Sequence, residues 1–217
     1  KPAPGGATGK PTGDSDEKVS AVSTKFDFVP GDSVLFLDDF KQDELGEFPV
    51  RWRLVGGTFE VAELEGERWL RCVSADGWVR MKLPAMTALP EFWTLEFDFY
   101  GVEPISSALT VRTLDKNDKA VWEAVFPEGD HMAFKTGDIR AATTYEGGVG
   151  GRHHLMFMAR GTGIKAYVDR QRMASMPEIS TAVGAPVTIE MRLWASTKPM
   201  ITNVRFAEGC RPAKDML

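Results

Sequence analysis

The chain has 217 residues and a net charge of −5, with its 26 lysines and arginines dispersed along its length. That balance leaves no basic footprint for a nucleic-acid backbone, and no apolar run approaches the ~20 residues needed to span a bilayer. The start of the chain also lacks the basic-then-apolar pattern of a signal peptide.

Residues 1–24 are rich in Pro, Gly, Ala, Ser, Thr and Asp and show no hydrophobic period, the composition of a flexible tail. A tail of this kind acts through what it binds, so Lys1, Pro2, Pro4, Lys10 and Pro11 are candidate contacts to a partner. One domain is expected over residues 25–217. Its first strand is expected at Val34–Asp38, after a turn at Pro30-Gly31, and an irregular loop with aromatic anchors follows at Gly46–Trp52. Strands are then predicted at Thr58–Ala62, Arg68–Val73, Trp78–Leu83, Trp93–Tyr100, Ala108–Thr113, Ala120–Phe126 and Met132–Lys135. In Thr94–Tyr100 the alternation is strict: Leu95, Phe97 and Phe99 face one side, Glu96, Asp98 and Tyr100 the other. The glycine-rich stretch Gly147–Gly151 leads into a strand, so it reads as a connection and not as a phosphate cradle, which would open a helix.

Two alternating runs, His154–Arg160 and Ile164–Asp169, flank Gly161-Thr162-Gly163, whose glycines can take the positive φ of a tight hairpin. A second turn is expected at Asp169–Arg172, with the chain leaving through Met173–Pro177. Val187–Trp194 alternates again, Val187, Ile189, Met191 and Leu193 turning inward, and Ile201–Glu208 closes the domain. The best helix candidate is the short Pro84–Leu89. A dozen short strands separated by turns predict an all-β fold, a two-sheet antiparallel β-sandwich of jelly-roll type.

Lys25–Phe40 together with Gly46–Trp52 resembles the start of the lectin-like domain that precedes an OmpA-like peptidoglycan-binding domain in bacterial envelope proteins. Ile164–Met173 resembles the strand, Tyr-Val-Asp, turn, strand signature of laminin-G-like and concanavalin A-like domains, and Ile201–Gly209 resembles the last strand of that family. The resemblance implies a concanavalin A-like sandwich in a bacterial cell envelope, periplasmic or secreted setting. It also implies an OmpA-like domain after the final strand, whereas this sequence ends at Asp215-Met-Leu217.

Laminarinase-type hydrolases of this architecture carry Glu-x-Asp-x-x-Glu or Glu-x-Asp-x-Glu on one strand. Glu96 and Asp98 supply the first two acids, but Tyr100 and Gly101 stand where the third belongs and Glu103 is displaced past them, so no catalytic set is assigned. His153 and His154 are adjacent and would point to opposite faces, which argues against a zinc site with His131. Asp115, Asn117 and Asp118 are weak calcium candidates that fit a hairpin turn equally well, and Asp38, Asp39 and Asp43 offer further oxygens. Apart from calcium, no cofactor is expected. Cys72 and Cys210 are either two buried thiols or one long-range disulfide.

For glycan binding the candidates are Trp194, Arg192 and Glu190, which share with Thr188 the polar face of their strand, and Trp78 and Trp122, which would extend the same surface. The leading functional reading is a non-catalytic interaction domain, a structural or docking subunit of a larger assembly. The alternative is a carbohydrate-binding, lectin-like module. A glycoside hydrolase or lyase with an atypical acid–base pair at Glu96 and Asp98 comes third.

Overall fold

The computed structural model describes residues 26–102, 107–179, 184–194 and 198–209. Among them are fifteen strands and no helix. In chain order these are β1 (Ser33–Asp38), β2 (Trp52–Gly56), β3 (Phe59–Leu64), β4 (Glu67–Cys72) and β5 (Gly77–Met81). Next come β6 (Phe92–Gly101), β7 (Ser107–Leu114), β8 (Ala120–Glu128), β9 (His131–Thr136) and β10 (Ile139–Thr144). The last five are β11 (Gly151–Arg160), β12 (Gly163–Val168), β13 (Gln171–Met176), β14 (Thr188–Leu193) and β15 (Met200–Glu208).

They form two antiparallel sheets. Sheet A runs β13-β12-β11-β6-β15-β4-β3, with β1 beside β15, and sheet B runs β10-β9-β8-β7-β14-β5-β2. β15 shares one edge between two strands, pairing β4 at Met200–Ile201 and β1 from Val204 to Glu208, while its other edge pairs β6. The expected sandwich is the observed one. Leu95, Phe97, Phe99, Ile189, Met191 and Leu193 all have 0% exposure, so the alternation of β6 and β14 does set their inner faces. Between the sheets Trp122 stacks with Trp93, Phe134 and Phe157, at ring separations of 6.2, 5.4 and 5.5 Å.

Three stretches depart from the prediction. β2 continues directly from what reads as a loop, β10 occupies a stretch that carries no strand signal, and Pro84–Leu89 is an irregular segment, anchored where Leu89 N–H donates to Pro186 O at 2.7 Å. β2 and β10 are the two edges of sheet B. Edge strands bury less of each side chain, so Leu54, Val55 and Ile139 stay exposed and the period-2 signal fades.

Residues 26–31 lie against the outer face of sheet A. Phe26 and Phe28 meet Tyr167 edge-on at 5.5 and 5.8 Å, and Tyr167 OH donates to Asp27 at 2.6 Å. Gly31 N–H donates to Thr94 Oγ1 at 2.9 Å, and a Cβ on Gly31 would sit 2.6 Å from Glu208 O, so the closeness of this crossing requires glycine.

Candidate functional site

The antiparallel register of sheet B brings one charged residue from each of its seven strands into a single row on the outer face. Arg53 on β2 faces Arg80 on β5, which faces Glu190 on β14, which faces Arg112 on β7. The row continues through Glu123 on β8 and Lys135 on β9 to Arg140 on β10. Five of the seven are basic.

At the middle of the row Glu190 is 0% exposed because two guanidiniums cover it. Arg112 Nε donates to it at 2.8 Å, and Arg80 both donates to it and pairs with Asp118 at 2.8 Å. One step along the strands, aromatic and cationic groups alternate. Arg112 lies 3.8 Å from the Trp78 ring centre, Arg192 lies 5.3 Å from the same ring, and Arg192 stacks 3.4 Å above Trp194. Arg192 Nε also donates to Asp76 at 2.9 Å. The predicted residues Trp78, Glu190, Arg192 and Trp194 are therefore neighbours on one face. Trp122 is not among them. It is 1% exposed and packs between the sheets, so it is a core residue and cannot touch a ligand on this surface. Its indole N–H is buried without a hydrogen-bond partner among the described residues.

Where β2 meets β5, this face opens into a groove of ≈ 430 Å³. Arg53, Arg80, Lys82 and Lys116 line it, together with the half-buried apolar side chains of Leu83 and Met86.

A second polar cluster occupies the outer face of sheet A. His154 on β11 bridges the two acids of β6, with Nδ1 2.8 Å from Asp98 and Nε2 3.7 Å from Glu96. Asn203 and Arg205 on β15 donate to Asp98 at 2.8 Å and Glu96 at 2.7 Å, and Arg152 links Asp98 at 2.6 Å to Glu67 at 2.7 Å. The two acids are thus neither open to solvent on a flat sheet nor set facing a third carboxyl. Burial opposes ionisation of Asp98, but the hydrogen bonds from His154, Asn203 and Arg152 outweigh it and pull its pKa down to about 2. Glu96 is likewise lowered, burial being outweighed by His154 and Arg205. The bonds to Asp98 and then Glu96 raise His154 to about 9.

His153 points the other way, into the edge of the core, as the pleat requires. Its Nδ1 lies 3.1 Å from Asp169 Oδ2, which also accepts from Tyr145 OH, while Asp169 Oδ1 accepts the His154 backbone N–H at 2.8 Å. Asp169 itself has a φ of 52°. The Tyr-Val-Asp signature therefore marks a turn residue that ties β12 back to β11.

The calcium candidates are engaged in a turn. Asp115 Oδ1 accepts from the backbone N–H of Asn117 at 2.8 Å and of Lys119 at 2.9 Å, and Asp118, at a φ of 61°, pairs with Arg80. Asp38 accepts from Trp52 Nε1 at 2.9 Å and from Phe40 N, Asp39 from Lys41 N, and Asp43 from Val50 N. Cys72 is buried at the end of β4. Cys210 lies outside the described residues, as do Glu103, Lys1, Pro2, Pro4, Lys10 and Pro11.

No family model matches this sequence, and no curated protein sequence matches it. Solved structures of similar fold include a sialidase, with 18% identity and a TM-score of 0.61 over 83% of this chain, which spans 19% of that protein's length. The carbohydrate-binding module CBM66 from Bacillus subtilis aligns over 73% of this chain and 96% of its own, with 18% identity and a TM-score of 0.52. A β-glucanase from Bacillus licheniformis aligns over 80% of this chain and 97% of its own, with 15% identity and a TM-score of 0.53. At these identities the likeness is one of fold, and it bears out the two-sheet antiparallel sandwich of jelly-roll type.

Proposed function

We propose that this chain is a non-catalytic glycan-recognition module whose binding surface is the outer face of sheet B. The observation that carries the reading is the row of guanidiniums around Glu190 and the Trp78–Arg192–Trp194 stack. These planar donors are fixed by carboxylates and indoles before any ligand arrives, so binding orders few new side chains. Fixed planar donors beside aromatic rings suit the vicinal hydroxyls and C–H faces of a sugar. The fold shared with a carbohydrate-binding module is in keeping with this. Hydrolysis is disfavoured because it needs a protonated carboxyl at the glycosidic oxygen. Glu96 and Asp98 are both held ionised, and Asp38, which burial pushes up, has its two oxygens engaged by Trp52 Nε1 and Phe40 N.

Docking in a larger assembly is the second reading. A groove of ≈ 490 Å³ favours it, because Val34, Leu37 and Val50 line that groove with exposures of 48%, 53% and 73%. The resemblance of Lys25–Phe40 and Gly46–Trp52 to the lectin-like domain of OmpA-containing proteins supports a bacterial envelope setting for either reading.

The test is a glycan panel with the full chain, alongside Arg192→Ala and Trp194→Ala. Retention of defined glycans that falls about tenfold or more in either variant supports glycan recognition. If no glycan is retained, and an envelope protein is instead recovered in stoichiometric amount and lost on Val50→Asp, the assignment moves to docking.

A further inference from the structure

The β2–β5 corner of sheet B places like charges directly opposite one another. Arg53 faces Arg80 and Trp52 faces Met81, so the next pair along is Arg51 and Lys82, linked through Lys82 N–H to Arg51 O at 3.1 Å. Like charges opposed across a strand pair repel and destabilise it, so two such pairs in succession need an explanation. The surroundings neutralise them only in part. Arg51 donates to Leu37 O and is drawn electrostatically to Asp38, while Lys82 Nζ donates to Val50 O at 2.8 Å, a contact that supplies no counter-charge. Arg80 is matched by Glu190 and Asp118. Arg53 and Lys116 have no ion-pair or hydrogen-bond partner among the described residues. The two acids in the groove wall are already engaged, Asp115 by two backbone N–H groups and Asp118 by Arg80.

Resting on the glycan reading, we infer that this groove takes an acidic saccharide, its carboxylate or sulfate seated between Arg53, Arg80 and Lys116 and its ring against Leu83 and Met86. The groove's ≈ 430 Å³ suits one or two sugar rings. The oxygens of a carboxylate or sulfate meet the fork geometry of two guanidiniums, and the anion offsets the repulsion between the opposed cations. With a net charge of −5, the chain as a whole repels polyanions, so the attraction expected here is local to this corner.

Four probes test the inference by calorimetry at low salt: short oligogalacturonates, their methyl esters, sulfated oligocarrageenans that carry no uronate, and a panel of neutral oligosaccharides. An acidic probe should bind with an affinity that falls as salt rises, and the Arg53→Ala/Lys116→Ala double variant should lose about tenfold or more. Both side chains are exposed and have no ion pair among the described residues, and Arg53→Ala relieves the opposed charge, so the variant's thermal midpoint should equal or exceed that of the parent. Binding to oligogalacturonate but not oligocarrageenan identifies carboxylate as the anion, and the reverse identifies sulfate. Equal binding of acid and methyl ester, an unaffected double variant, or binding of neutral probes alone overturns the anionic inference and leaves glycan recognition standing. If no saccharide of any class binds, both fail.

Discussion

Glu190 shows how far one residue's environment departs from its position in a pattern. Its alternation with Ile189 and Met191 puts it on the outer face, where a glutamate is ordinarily solvated, yet it is 0% exposed. The cause is register: Arg80 and Arg112 stand directly opposite on the two flanking strands and close over the carboxylate. Removing one partner of such a cluster leaves the others desolvated and uncompensated, which costs ~3–5 kcal/mol when the group is deeply buried. With Arg80 and Arg112 still 17% and 27% exposed, Glu190→Ala is expected to cost about 2 kcal/mol. Urea denaturation measures this, and a change below about 0.5 kcal/mol would show that the guanidiniums rehydrate freely. Trp122 illustrates the opposite misreading. In Ala120-Val-Trp-Glu, Val121 and Trp122 are both 1% exposed, so two adjacent apolar residues leave the parity of the strand undetermined until its pairing is known.

At the scale of elements, what was readable followed burial. β6 and β14, central in their sheets, alternate cleanly, and the β11–β12 hairpin is announced by its glycines. The turn joins Arg160 to Gly163 through Gly161, at a φ of 56°, and Thr162. β2 and β10 escape notice because an edge strand needs no continuous apolar face. The charged row of sheet B was beyond reading for another reason: each strand contributes only one member, and nothing within a strand specifies its register against the next. The second hairpin turn depends on a side chain as well as on its backbone. Asp169→Ala removes the acceptor for His154 N–H and Tyr145 OH beside the buried His153, and is expected to cost ~1–3 kcal/mol. Asp169→Asn keeps tolerance of the left-handed backbone and should cost less. Equal stabilities of Asp169→Ala and the parent in urea would show that the backbone alone holds the turn.

For the whole molecule, the Glu96–His154–Asp98 network matters because it ties together β11, β6 and β15, the middle of sheet A. A raised His154 stabilises the fold fully below its ordinary value near 6.5, and that contribution is lost as pH rises through about 9. A lowered Asp98 contributes above its ordinary 3.8, and that contribution is lost as pH falls toward about 2. Together they are complete between roughly pH 4 and 6.5. The His154 side chain is 40% exposed, so solvent screening should keep its part below ~1 kcal/mol. His154→Gln should flatten the alkaline limb of the thermal midpoint against pH, and an unchanged limb would remove this network as its cause. The placement of β15 has a further consequence, for how the chain comes to be folded. It is the last described strand, yet it lies between β6 and the pair β4 and β1, and among the described residues β1 pairs with β15 alone. Sheet A therefore cannot close until residues 200–208 have left the ribosome. Until then the nascent chain displays the unpaired edges of β6 and β1, to which a strand of another chain can add.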